Sequence, residues 1–244
     1  MSGAYYNEFK AGGAAWLREL IKAGHIPAGD VDERSITDVR ADDLVGYTQC
    51  HFFAGLGGWP LALRMVGWPD DAPIWSGSCP CQPYSLAGER QGTQDPRDLW
   101  PAFFGLIRER RPGDVVGEQV EPAIRWGWLD RLADDLEAEA YTVWPCVLPA
   151  SAFGALHRRD RLCWAASADA HRVRPQGIGA PTEEPWSWEQ FEGLVQAELR
   201  MAVPAGAIGG LSDGLPNRLV GLSGFGDAIV PQVAAAFIDA WLTS

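Results

Sequence analysis

The sequence predicts an α/β fold with an open sheet, and three features carry that expectation. The run TQCHFFAG, Thr48 to Gly55, reads as a buried strand ending in glycines, with the short apolar helix pattern WPLALRMVGW, Trp59 to Trp68, behind it. APIW, Ala72 to Trp75, reads as a second strand. It opens into SGSCPCQPYS, where two prolines and a glycine exclude regular structure and put Cys81 on a loop. From Leu99 onward, helix-like and strand-like segments alternate. In open α/β sheets ligands bind in the crevice beyond the carboxyl ends of the strands, so the glycine turn and the cysteine loop are expected to face one site.

The remaining elements follow in order. LWPAFFGLIRERRPG reads as a helix stopped by Pro112 and Gly113, DVVGEQV as a buried strand, and AIRWGWLDRLADDLEAEA as one amphipathic helix. YTVWPCVL and RLCWAAS read as further strands, in which Cys146 and Cys163, like Cys50 in the earlier strand, are expected to be small buried hydrophobes. From Asp169 to Pro216 the pattern dissolves into Pro, Gly and isolated Trp, with one helix expected around Trp188 to Leu199. LSGFGDAIVPQVAAAFIDAWL then supplies a glycine turn, Pro231 and a closing apolar helix. The expected domains are a main unit over 1–168, a small module over 169–216, and a segment over 217–244 that returns to the main unit.

At 244 residues and 47% hydrophobic content the chain can fill a substantial core. No stretch is long and apolar enough to span a membrane, and the first residues lack a secretory pattern, so a soluble cytoplasmic protein without a membrane partner is expected; a monomer is the expected state. Five cysteines, two of them at Cys79 and Cys81, argue for a reducing compartment and a free thiol rather than a disulfide framework. No metal is expected, because a zinc site usually takes four ligands.

A net charge of −12 argues against a generic nucleic-acid binder. Charge is unevenly placed, however. His157, Arg158, Arg159, Arg161, His171, Arg172 and Arg174 cluster, while acids crowd Asp30 to Asp43 and Asp130 to Glu139. The basic cluster is either a local nucleic-acid face or a solvated surface loop.

Five ordered motifs resemble the DNA cytosine carbon-5 methyltransferases. FAGLGGW, Phe53 to Trp59, resembles that family's S-adenosylmethionine turn, and PCQPYS, Pro80 to Ser85, its nucleophile loop. GEQV, Gly117 to Val120, is similar to its Glu-Asn-Val motif with Gln119 in place of Asn. HRRDR, His157 to Arg161, is similar to Gln-x-Arg-x-Arg with His157 in place of Gln, and GDAIVP, Gly226 to Pro231, to Gly-Asn-x-x-x-Pro with Asp227 in place of Asn. The resemblance implies a Rossmann-like methyltransferase sheet, S-adenosylmethionine as cofactor, double-stranded DNA as partner, and a bacterial or phage-infected cell as the setting.

One spacing departs from the family. There, the glycine turn is followed by a strand ending in an acid for the cofactor ribose, a helix and a third strand before the cysteine loop. Here Phe53 to Cys81 has room for one crossover at most, since a βαβ unit takes about 30 residues. AYYNEFKAGGAAWLRELIKAGHIPAGDV, Ala4 to Val31, resembles the missing piece, so the second and third cofactor strands are expected to be permuted to the N-terminus. Glu8 then binds the ribose hydroxyls and Phe9 lies against the adenine. Asp30, Ser35 and Ile36 stay open as candidates for the adenine edge. The alternative is that residues 1–45 form an ordinary capping helix and acidic linker.

By the resemblance, Cys81 adds as a thiolate to carbon 6 of cytosine and makes carbon 5 nucleophilic. Cys79 is its competitor, but the frame Pro80-Cys81-Gln82 assigns Cys79 a supporting role. Glu118 bonds the ring nitrogen and amino edge of the base, and Arg159 and Arg161, read as alternate positions of one strand, stand near its carbonyl. Phe53, Ala54, Gly55, Leu56, Gly57, Gly58, Trp59, Ser78, Pro80, Asp227 and Ala228 complete the cofactor set. Gln82, Ser85, Arg90, Arg97, His157, Arg172 and Arg174 are the expected DNA contacts. The target base must leave the stack to be reached, and residues 169–216 are the expected target-recognition module. In it Trp186 and Trp188 either stack on bases or form a minimal core. The same covalent chemistry with another one-carbon donor, giving hydroxymethylcytosine, and a non-catalytic DNA-binding homologue are the competing functions.

Overall fold

The computed structural model describes residues 3–80, 98–153, 159–168 and 229–243. In chain order the elements are β1 (Gly3–Asn7), α1 (Ala11–Lys22), β2 (Gly29–Asp32), β3 (Tyr47–Phe52), α2 (Gly58–Met65), β4 (Ile74–Gly77) and α3 (Trp100–Arg110). They continue with β5 (Asp114–Val120), α4 (Trp128–Ala138), β6 (Thr142–Pro149), β7 (Asp160–Ser167) and α5 (Pro231–Thr243). The strands form one mixed sheet in the order β2-β1-β3-β4-β5-β7-β6. β1 to β5 pair in parallel, while β7 runs antiparallel to both β5 and β6. The α/β expectation therefore holds, and β1 and β2 extend the sheet outward from β3, the strand that leads into the glycine turn.

The two-residue period of the strands sorts side chains onto two faces. Tyr5, Cys50, Phe52, Trp75 and Val115 point to a layer built from α3, α4 and an aromatic cluster of Trp100, Phe103, Trp128 and Trp164. Trp100 and Trp164 meet edge to face at 5.9 Å between ring centroids. Burying side chains of this size contributes about 2–3 kcal/mol each. On the opposite face, Tyr6 packs against α1 through Trp16, Leu17 and Leu20, and Val116 packs against α2 and α5. A polar ladder crosses that second face: His51 Nδ1 is 2.8 Å from Ser76 Oγ and its Nε2 3.2 Å from Gln49 Oε1. Gln49 in turn donates to the Pro69 carbonyl at 3.0 Å.

Three expectations need correction. The single helix expected over AIRWGWLDRLADDLEAEA is a 3₁₀ helix over Glu121–Trp126 followed by α4, because Gly127 takes φ 70° at the junction and breaks the α ladder. Cys146 is exposed, unlike the buried Cys50 and Cys163, because β6 is the outermost strand. That edge position also tolerates Pro145 within the strand. Arg159 is not on a strand: it precedes β7 with φ 38°, and its carbonyl accepts from the Ala150 amide at 3.2 Å. The segment 169–216 and the turn before Ile229 lie outside the described residues.

Candidate functional site

The parallel strands deliver their carboxyl ends to one rim, and most of the described candidates collect there. Phe53 follows β3 with φ 51°, and Gly55 and Gly57 take φ 55° and 78°, so the chain reverses sharply before α2. Such positive values suit glycine and account for two of the turn's glycines. At Gly58 the constraint is space: an added Cβ would fall 2.8 Å from the Ile229 Cβ.

The N-terminal segment holds this turn. Glu8 is 7% exposed; its Oε2 accepts from the Gly55 amide and its Oε1 from the Lys10 amide, both at 2.8 Å. The Asn7 carbonyl accepts from the Ala54 amide at 3.0 Å, while Asn7 Nδ2 donates to the Arg34 carbonyl at 2.9 Å. Trp16 Nε1 donates to the Leu56 carbonyl at 3.2 Å. Asn7, Trp16 and Gly13, where a Cβ would meet Glu8 Cγ at 2.9 Å, were not among the expected site residues. The Asn-Glu pair and the small residues opening α1 were their only signal. Phe9 is 72% exposed beside Glu8.

The three adenine-edge candidates separate. Asp30 lies within β2 opposite Tyr5, and its carboxylate accepts from the Tyr47 hydroxyl at 2.7 Å, at the start of β3. Ser35 and Ile36 follow the carboxyl end of β2; Ser35 caps a short 3₁₀ helix over Ile36–Asp38, and Ile36 is buried in the core. Between them, burial acts to raise Asp32, but bonds from the Arg34 side chain and backbone and from Tyr5 outweigh it and hold that carboxyl below its ordinary range.

On the other side of β3, β4 and β5 make a second cluster. A Cβ on Gly117 would collide with Trp164 and the Gly77 carbonyl, so glycine lets β4 and β5 converge here. Ser78 Oγ accepts from Trp59 Nε1 at 3.0 Å and from the Glu118 amide at 3.1 Å. Glu118, 8% exposed, has its Oε1 2.5 Å from Arg161 Nε. Trp59, Glu118, Arg159, Arg161, Cys163, Ile229 and Val233 line one small cleft. Arg159 and Arg161 therefore reach the same cleft although only Arg161 is on the strand. Gln119 Nε2 donates to the Cys79 carbonyl at 3.3 Å, beside Pro80.

Thiol chemistry distinguishes the cysteines. Burial pushes Cys79 well above the usual thiol range, with nearby Asp98 adding to the effect. Burial likewise raises Cys50, to about 12, and Cys163. A thiol so raised is a poor nucleophile at neutral pH. Cys81, Gln82, Ser85, Arg90, Arg97, His157, Arg172, Arg174, Asp227, Ala228, Trp186 and Trp188 lie outside the described residues. Among the described residues no group of three or more His, Cys, Asp or Glu is placed to hold a metal, and no helix is long and apolar enough to cross a membrane.

Comparison with known proteins bears on this constellation. The chain is 29% identical to the Type II methyltransferase M.HgiCII of Herpetosiphon aurantiacus, over 45% of this chain and 35% of that one. It is 28% identical to the Type II methyltransferase M.AplI of Arthrospira platensis, over 48% and 30%. The chain thus spans about a third of the length of the relatives it matches. Among solved structures, the Dnmt2 methyltransferase of S. pombe aligns with 78% of this chain and 55% of its own at 13% identity and a TM-score of 0.42. The family model described as C-5 cytosine-specific DNA methylase matches residues 67–192, more than half of the sequence, and the chain belongs to that family.

Proposed function

We propose that the protein transfers a methyl group from S-adenosylmethionine to carbon 5 of cytosine in double-stranded DNA. The observation that carries this reading is the Glu118–Arg161 pair at the end of β5. It stands beside the segment leading into Cys81, on the rim that also holds the glycine turn.

The residues on that rim fit the cofactor. A buried carboxylate, Glu8, stands directly against the glycine turn with Phe9 exposed next to it. Each Glu8 oxygen accepts one backbone N–H and keeps a further lone pair, so it can still receive ribose hydroxyls. When bound, the cofactor supplies a methyl group on a sulfonium. Glu8, Phe9 and the turn from Phe53 to Gly58 hold its adenosine half, and Ser35, at the carboxyl end of β2, is better placed for the adenine edge than Asp30, which Tyr47 engages.

We also infer that the N-terminal unit is the family's second and third cofactor strands, permuted ahead of the first. The strand order supports this: β1 pairs in parallel with the glycine-turn strand β3, and β2 pairs in parallel with β1. The backbone and side-chain bonds of Asn7, Glu8 and Trp16 with the turn support reading that unit as part of the site and not as a separate cap.

In the reaction, Cys81 attacks carbon 6 of the extruded cytosine, and the π-electron pair of the 5,6 double bond moves toward the ring nitrogen and carbonyl. Glu118 binds the ring nitrogen 3 and amino edge and shares a proton there, which lowers the cost of that charge. Arg161 fixes the carboxyl through its Nε and leaves other guanidinium N–H groups for the base carbonyl. Carbon 5 so activated would receive the methyl group as the sulfonium carbon–sulfur bond breaks and its electron pair leaves with S-adenosylhomocysteine; a base would then take the carbon-5 proton, and elimination would restore the 5,6 double bond and release the Cys81 thiolate. DNA incubated with the full chain and methyl-labelled S-adenosylmethionine, followed by nucleoside mass analysis, tests the reading. Labelled 5-methylcytosine is expected. Hydroxymethylcytosine, or no modified base, would overturn it.

A further inference from the structure

We infer that Ser78 is a positioning residue whose hydroxyl sets the distance between the cofactor turn and the base-binding carboxylate. This inference rests on the proposed methyl transfer, because that reaction brings a group held by one wall of the cleft to a carbon held by the other.

The parallel ladder between β4 and β5 closes after Ser76 and Val116. Two residues further on, the Ser78 side chain takes over the role of a backbone acceptor and receives the Glu118 amide at 3.1 Å. The same oxygen accepts the indole N–H of Trp59, in the first turn of α2, at 3.0 Å. A hydroxyl oxygen has two lone pairs, so these two donors use its full accepting capacity. Ser78 therefore joins two elements that diverge from neighbouring strand ends. One is the helix that begins the cofactor turn's far side, and the other is the strand that presents Glu118 to the cleft. Nothing else described bonds Trp59 Nε1, and the indole is buried at 3% exposure, so losing the acceptor leaves a polar group in an apolar wall.

The convergence that makes this possible is built into the backbone. Gly77 and Gly117 stand immediately before Ser78 and Glu118. A Cβ on either would strike Phe103 in the first case, and Trp164 and the Gly77 carbonyl in the second. At Gly117 the close approach is to β4 itself, through the Gly77 carbonyl, while at Gly77 it is to α3, through Phe103. The hydroxyl then defines how the two strands part. A displacement here shifts Trp59 and Glu118 relative to each other, and small misplacements of reacting groups cost rate more than affinity.

The role predicts a specific kinetic pattern in the full chain with DNA and S-adenosylmethionine. Trp59→Phe, which removes one bond, should lower kcat about tenfold, and Ser78→Ala, which removes both, at least as much, while cofactor Kd by calorimetry changes less than about threefold in either. The double variant should be no slower than Ser78→Ala alone, since that change already removes the Trp59 contact. Ser78→Thr keeps the oxygen and should recover most of the rate. Additive losses, an unchanged kcat, or a loss seen wholly as weaker cofactor binding would overturn the role. Should Ser78→Ala fail to fold, Trp59→Phe with an unaltered melting curve still decides the matter through its kcat. Absence of methyl transfer by the unsubstituted chain overturns the proposed function instead, and is distinguishable because it precedes every comparison.

Discussion

Arg161 Nε lies 2.5 Å from Glu118 Oε1 although the two residues are not opposite each other: Glu118 faces Cys163 across the antiparallel pair, and Arg161 faces Val120. The pair is diagonal, a separation that only a long side chain closes. With 9% and 19% of the side chains exposed, both charges are largely withdrawn from water. Removing the cation should therefore cost more than neutralising the anion. Arg161→Ala should lower unfolding free energy by about 2–3 kcal/mol and Glu118→Gln by about 1, measured by urea denaturation. Both should reduce methyl transfer by at least about a hundredfold. Equal stability of the two variants would show that the pair does not hold the wall.

Glu8 should matter to both fold and cofactor. Its two oxygens each take a backbone N–H, one from the residue two positions on and one from the glycine turn 47 positions on. Glu8→Ala should weaken S-adenosylmethionine binding by more than about tenfold and lower the melting temperature, because a partly buried amide at Gly55 loses its acceptor. Glu8→Gln should not restore affinity fully, since an amide offers one acceptor oxygen and not two. Calorimetric titration checks this, and unchanged affinity in Glu8→Ala would remove the permuted cofactor half from the proposal.

How much of this was legible in the sequence depended on whether local pattern or tertiary neighbours decided the outcome. The limits of β5 coincide with DVVGEQV, because a short valine-rich segment with helix breakers at Gly113 and Pro122 on either side has few other solutions. Glu8 could be singled out from its Asn-Glu context, whereas the need for Gly13 beneath it could not, since that contact joins a loop to a helix. The exposure of Cys146 was invisible because the alternation of β6 is the same for an edge strand as for a central one; only the sheet order makes it an edge. Alternation along the sequence puts Arg159 and Arg161 on one strand face, yet a left-handed residue at Arg159 brings it to the cleft by another route. Ser78 gave no local signal for its two acceptor bonds, which depend on where β4 and β5 part.

The same contrast makes the thiols separable by chemistry. Cys146 is exposed, while Cys50, Cys79 and Cys163 are buried with pKa values raised by desolvation. Brief alkylation of the folded protein at pH 8 should label Cys146 well before those three, as read by peptide mass spectrometry. Cys79→Ser should retain methyl transfer and Cys81→Ser should lose it. Activity in the Cys81 variant, or rapid labelling of Cys79, would reverse their assigned roles.

His51 should give the fold a measurable acid sensitivity. It is fully buried, stacked on Tyr6 at 5.2 Å between ring centroids, and desolvation lowers its pKa to about 3. In the unfolded chain it titrates near its ordinary 6.5, so between these values the unfolded state binds one more proton than the folded state. Its contribution to stability is thus complete above about pH 6.5 and is lost as pH falls toward 3, with a slope approaching about 1.4 kcal/mol per pH unit. His51→Gln can still bond Ser76 but cannot titrate. Urea denaturation at intervals from pH 7 to pH 4 should show a shallower decline for His51→Gln than for the unsubstituted chain. Parallel declines would mean that a group other than His51 governs acid unfolding, and that the Gln49–His51–Ser76 ladder opens to water before the fold is lost.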